Sequence, residues 1–224
     1  MTELIYKIFI KDDAWLTILS GLWATVQISA LSLFFGTVLG TFICFLRVEK
    51  FRPTQTFAKI YISILRGSPV LMLLMLFYYG IFARSDLSPL TVAVITFTLH
   101  TSAHSAELLR ASIMTVDKGQ IEAARTLGFS KMQAFKLVTL PQLVRIAKPV
   151  YQSTIVNLIQ WTSVVGYVTI TDLTRVINNI ASRTMQPMIT IIFGMLIYIA
   201  MAYVVYGIFA LSDLLERRRR GDSH

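Results

Sequence analysis

The chain has 224 residues, of which 55% are hydrophobic and only 15% charged, against about 45–50% and about 25% in water-soluble domains. Its mean hydropathy is +0.64 and its formal net charge is +9. A soluble enzyme, a disordered segment and a disulfide scaffold are excluded together: charges are too few, apolar residues too many, and Cys44 is the only cysteine.

Residues 1–13 hold Glu3, Lys7, Lys11, Asp12 and Asp13 ahead of any apolar run, which reads as retained sequence and not as a cleaved secretion signal. Five stretches then lack Asp, Glu, Lys and Arg altogether: 14–46, 67–83, 87–106, 149–171 and 184–212. About 20 apolar residues rising 1.5 Å each cross the hydrocarbon of a bilayer. Four stretches meet that length outright, and the second does once 60–65 is added. The predicted spans are 15–46, 57–83, 87–109, 150–170 and 186–213. Basic residues orient them. Arg47, Lys50, Arg52, Lys59 and Arg66 lie between the first two spans, seven more lie between the third and fourth, and Arg217, Arg218, Arg219 and Arg220 follow the fifth. Sixteen of the 21 Lys and Arg residues thus fall on one face, which the positive-inside rule makes cytoplasmic, with the N-terminus outside and the C-terminus inside. The expected fold is an all-α integral membrane protein with five transmembrane helices, one transmembrane domain over 1–224. The basic surplus is a topology signal, so no nucleic acid partner is expected.

Polar groups inside an apolar span are expensive, and each is a functional candidate. Arg66 precedes Gly67-Ser68-Pro69, a sequence that should break or bend the second span; its guanidinium suits either a solute carboxylate or lipid phosphates. His100, His104 and Glu107 recur at i, i+4 and i+7 and share one helix face. A metal or proton relay, the lining of a solute path and internal hydrogen bonding are all open to the two histidines. Glu107 and Arg110, at the cytoplasmic end of the third span, suit an interhelical or loop-anchoring pair. Asn157, Gln160 and Trp161 bring hydrogen-bonding groups and an aromatic face to the fourth.

Between the third and fourth spans lies the one substantial hydrophilic stretch, 115–148. Good helix formers over 121–127, including Glu122, Ala123, Ala124 and Leu127, end at Gly128, which suits a helix C-terminus. Ser130 can cap a second helix over 131–139, which Pro141 should interrupt. The adjacent small residues Ala123 and Ala124 offer a surface that another protein could approach closely. No Gly-rich phosphate loop followed by Lys-Ser/Thr occurs in the chain.

The run Val116-Asp117-Lys118-Gly119-Gln120-Ile121-Glu122-Ala123-Ala124-Arg125-Thr126-Leu127-Gly128, continuing to Leu140-Pro141-Gln142, resembles the cytoplasmic EAA loop of bacterial ABC importer permeases, the polar amino acid family in particular. Arg66-Gly67-Ser68-Pro69, Ala106-Glu107-Leu108-Leu109-Arg110, and Thr162-Ser163 with Asp172-Leu173 resemble further motifs of that family. The resemblance implies the type I importer fold and a permease subunit that is not an enzyme. Glu122, Ala123, Ala124 and Gly128 would couple it to a cytoplasmic ATPase dimer, which would bind the ATP and Mg. A second permease subunit, identical or paralogous, and an extracytoplasmic solute-binding protein docking near 171–187 complete the expected set, in a bacterial cytoplasmic membrane. The solute path would use Arg66, His100, His104, Asn157, Gln160 and Trp161, with no catalytic residue, bound metal or cofactor in this chain. Where the family commonly has lysine and aspartate before Thr-Ser, this chain has Gln160-Trp161, implying a changed solute or a degenerate half-site. An intramembrane metal-dependent enzyme and a channel-like oligomer are the competing readings.

Overall fold

The computed structural model describes residues 13–221; the N-terminal stretch with Lys7 and Lys11, read above as retained sequence, and the terminal His224 lie outside them. Among the described residues all regular structure is helical, as an apolar medium requires, since only a helix or a closed barrel satisfies its backbone internally there.

Helix α1, Ala14–Val48, is 35 residues long. Helix α2, Arg52–Gly67, starts with proline in its first turn and stops where Ser68 turns extended, at φ −94° and ψ 137°, because the residue before a proline is pushed out of the helical region. The chain resumes as α3, Val70–Met75, and a π-helical turn, Leu76–Ile81, bent by 104° from α2. The break expected at Gly67-Ser68-Pro69 is therefore present, and the second apolar segment is two pieces. Helix α4, Pro89–Thr115, opens with Ser88 Oγ accepting from Thr91 N at 3.2 Å. After it come α5, Lys118–Thr126, α6, Lys131–Ala134, a π turn, Phe135–Thr139, and α7, Leu140–Trp161, which tightens into a 3-10 turn, Thr162–Val168. Helices α8, Leu173–Thr184, and α9, Pro187–Gly221, complete the chain.

Two expectations for the loop need correction. The first short helix starts at Lys118 and not at residue 121, because Asp117 caps it by accepting from Gly119 N at 2.9 Å. Pro141 does not interrupt the second. The chain stays helical from Lys131 to Trp161, with Leu140 N donating to Phe135 O across the π turn. Pro141 follows this widened turn, in the first turn of α7, where the missing N–H and the ring are tolerated.

By length and apolarity α1 and the stretch Pro187–Glu216 of α9 each suffice to cross a bilayer, and the bent pair of α2 with α3 and its π turn has the apolarity of a broken span or a re-entrant loop. Helices α4 and α7 are 27 and 22 residues long but richer in polar side chains.

The chain forms two compact units: 13–32, 70–97 and 155–221 make the first, 33–69 and 98–154 the second. In the first, Ala14 and Ile18 of α1 meet Leu173, Val176, Ile177 and Ile180 of α8, with Phe193 and Ile197 of α9 packed on them. In the second, Ile43, Cys44, Ala58, Ile62 and Ala106 join α1, α2 and α4. Here α1 presents Gly36 and Gly40 to α4. A Cβ on Gly40 would lie 2.6 Å from Ser102 O and 2.7 Å from Ser105 Cβ. Only hydrogen fits. In lipid, where water drives no helices together, such close contact of small residues is a principal source of helix association. Tyr61 and Ser102 hydroxyls at 2.6 Å, and Thr37 and Tyr151 hydroxyls at 2.6 Å, add polar ties within this unit.

Candidate functional site

The hydrophilic loop of the second unit, after α4, is a built element. Helix α5 is capped by Asp117 at one end and closed at the other by Gly128 in the left-handed region, φ +90°. Gly128 N donates to Arg125 O at 3.1 Å and Phe129 N to Ala124 O at 3.2 Å, while Arg125 Nη1 donates to Phe129 O at 2.7 Å. These bonds satisfy the carbonyls that a helix end leaves open. Ser130 and Gln133 then form a reciprocal capping box that starts α6. The turn between the helices is thus determined at every backbone position.

Of the expected coupling residues, Glu122, Ala123 and Gly128 are exposed, whereas Ala124 is 5% exposed and faces inward with Ala134. The surface expected from adjacent Ala123 and Ala124 is corrected: consecutive helical residues point about 100° apart, so only one of them can face outward. The most exposed large apolar side chains of this element are instead Leu127, Met132 and Leu137, 80%, 61% and 63% exposed, set among the exposed Glu122, Arg125, Lys131 and Lys136. Exposed apolar side chains grouped on a folded element mark a place where another protein or a membrane surface sits. Their alternation with Lys131 and Lys136 was a visible signal of that grouping.

The expected path residues are divided between the units. In the second, His100 is buried and His104 half-buried, with ring centroids 4.8 Å apart. Arg66, exposed at the end of α2, lies close enough to act electrostatically on His104 and Glu107. Glu107 is engaged by Arg110, whose Nε donates to Oε2 at 2.9 Å and whose Nη2 donates to Oε1. Among the described residues no three His, Cys, Asp or Glu side chains are grouped to hold a metal ion. In the first unit, Asn157 and Gln160 are exposed and Trp161 half-buried along one stretch of α7.

Also in the first unit is a feature the sequence reading did not single out. A cavity of about 370 Å³ is lined by Ser163, Gly166, Tyr167, Thr174, Arg175 and Asn178, with Arg175 Nη1 donating to Gly166 O at 2.6 Å. Its wall is held by Asp172, fully buried, whose carboxylate accepts from Thr174 N and Arg175 N at 3.1 Å each. Burial pushes the Asp172 carboxyl above its ordinary range, against the pull of those backbone N–H groups. Because the folded value lies above the unfolded one, the carboxyl's contribution to stability is complete at low pH and declines as pH rises through the folded value. Asp172→Asn, which keeps a capping oxygen, is expected to hold the melting temperature at acid pH and raise it relative to the parent as pH rises. Thermal unfolding in detergent across that pH range checks it; an Asn variant less stable at every pH would refute the buried-charge account. The signal was available, since Asp172 directly precedes the amphipathic stretch 173–184.

A helical chain with apolar segments long enough to cross a bilayer and an exposed, fully capped helix-turn-helix loop has the makings of a membrane component of a transport system. The chain belongs to the family of binding-protein-dependent transport system inner membrane components, whose model matches residues 32–221. It is the permease subunit of an ABC importer. It is 34% identical over 217 residues to the probable amino-acid ABC transporter permease protein YckA of Bacillus subtilis, covering 96% of this chain and 95% of that one. It is 31% identical to the L-cystine transport system permease protein TcyB of the same organism, covering 92% of this chain and 86% of that one. Among solved structures, one described as an amino acid ABC transporter with histidines superposes with a TM-score of 0.80 at 30% identity, over 90% of this chain and 94% of that one. The MetNI methionine ABC transporter in inward-facing conformations shares the fold, with a TM-score of 0.69 at 16% identity, over 96% of this chain and 100% of that one.

Proposed function

We propose that this subunit moves a polar amino acid or a related small solute into the cell by alternating access, powered by a separate ATPase dimer that binds ATP and Mg. The observation that carries the coupling is the capped helix-Gly-helix element with its exposed apolar rim of Leu127, Met132 and Leu137; the solute class is supported by what the relatives are named for. The ATPase grips Glu122, Ala123 and the turn at Gly128. Its closure pushes the element, and the push reaches the membrane through α7, which carries Asn157, Gln160 and Trp161. These residues, with His100, His104 and Arg66, line the path, which a second permease subunit, identical or paralogous, encloses. A solute-binding protein delivers cargo at the outer face near 171–187. The chain acts as one permease domain with five spans in the cytoplasmic membrane of a bacterium, N-terminus outside.

The decisive experiment is reconstitution of the complex with its ATPase and binding protein in liposomes, with uptake of radiolabelled L-cystine, L-glutamine and L-histidine measured with and without ATP. ATP-dependent accumulation of at least one is expected; accumulation of sugars or metal ions alone would overturn the solute class. Orientation has its own check. With Cys44 replaced by serine, a cysteine at Met185 is expected to react with a membrane-impermeant maleimide added to intact cells, and one at Met132 only after permeabilisation. The reverse pattern would invert the topology.

A further inference from the structure

Helix α5 has nine residues, too few to hold a fixed direction in water by itself. Its C-terminal bonds, Arg125 to Phe129 among them, tie it to its own turn. The side-chain bond that ties it to the helix entering the membrane is made by an amide: Gln142 Nε2 donates to Gln120 Oε1 at 2.7 Å and to Val138 O at 3.1 Å. One side chain of α7 thus joins the first turn of α5 to the π turn. The π turn also sets the register. Its additional residue rotates everything after Thr139 by about 100° relative to an uninterrupted α-helix, so Gln142 faces α5 only because Phe135–Thr139 is wide.

We propose that Gln120 and Gln142 form a clasp that makes α5, the π turn and α7 one rigid lever, and that they are positioning residues for the coupling step. The proposal rests on the reading of α5 as the ATPase-coupling piece. A solvent-exposed neutral amide pair contributes too little to decide whether the chain folds. What it adds is a direct side-chain tie to α7 for a helix otherwise held through the buried Ala124 and its own turn, and a push delivered at α5 reaches α7 in full only if that tie is kept. Without the clasp, α5 yields against α7 when the ATPase closes, and part of the ATP is spent without movement of the spans.

The test uses the complete complex in liposomes with L-cystine, L-glutamine and L-histidine as probes, reading solute taken up per ATP hydrolysed. Gln142→Ala and Gln120→Ala are each expected to lower that ratio about fivefold, in line with one lost hydrogen bond, with copurification of the ATPase and basal hydrolysis unchanged. In a Cys44→Ser background, Gln120→Cys with Gln142→Cys is expected to be uncoupled as the free thiols and recoupled once the two are joined by a short bifunctional maleimide. A purely structural role would not give that recovery. Variants that couple like the parent, or a joined pair that blocks transport, overturn the clasp while leaving the importer reading intact. A parent complex that takes up a probe without any dependence on ATP overturns the coupling role of α5 and the clasp with it.

Discussion

Replacing Gly128 by proline is expected to abolish transport while leaving the spans folded. Gly128 sits at φ +90°, whereas a proline ring holds φ near −65°, and its N–H, which proline lacks, donates to Arg125 O. The turn must therefore reopen. Loss of the left-handed cap and of its bonds amounts to about 3 kcal/mol locally, enough to melt or redirect a nine-residue helix but applied to an exposed loop distant in sequence from both cores. Nothing lies within 4 Å of the position a Cβ would occupy, so Gly128→Ala meets no clash, only the left-handed penalty of about 1 kcal/mol. The ordering follows: the alanine variant retains part of its uptake, and the proline variant falls at least about a hundredfold, in line with the larger local loss. Uptake per ATP in liposomes, alongside the elution profile of the purified complex, measures both. A proline variant that transports normally would remove this element from the coupling path.

Gly40→Leu is expected to prevent assembly of the folded protein. The Cβ alone would come within 2.6 Å of Ser102 O and 2.7 Å of Ser105 Cβ. The first neighbour is helix backbone, which cannot rotate aside as a side chain can. Gly40→Ala is therefore already overpacked, by about 1–3 kcal/mol, and leucine requires α1 and α4 to separate. Separation would remove the close contact of small residues that holds helices together in lipid. Gly207→Leu is the matched control, since nothing lies within 4 Å of its Cβ position, and it should be neutral. Yield of monodisperse protein in detergent and its melting temperature separate the three. Equal behaviour of the Gly40 and Gly207 leucine variants would show that the contact between α1 and α4 is not tight.

Much of this was legible in the sequence because it depends on local chemistry. The absence of charge over 14–46 and 184–212 marks two helices, of which α1 matches its stretch closely and α9 runs on through the charged tail to Gly221, since an apolar segment in lipid must bond its backbone internally. Pro69 breaks the second segment, Gly128 ends the coupling helix and Ser130 starts the next, each through a backbone geometry that the residue imposes on its immediate neighbours. Where competition between neighbours decides, the reading was less complete. Pro141 suggested a stop, but the π turn before it changes the spacing on which a proline's clash depends.

The sequence by itself determined where the chain is apolar, where Pro69 breaks it, and that an EAA-like loop follows the third apolar stretch. Only the tertiary structure decided which sides of those helices meet. Helix α1 is apolar nearly all round, so its periodicity carries no facing signal, and the choice of Gly40 as the contact is set by the shape of α4. The same holds for Ala124, buried while Ala123 is exposed, and for Arg175, brought to Gly166 beside a cavity. Each depends on which residue occupies the facing position, and that is fixed by how successive elements pack on one another.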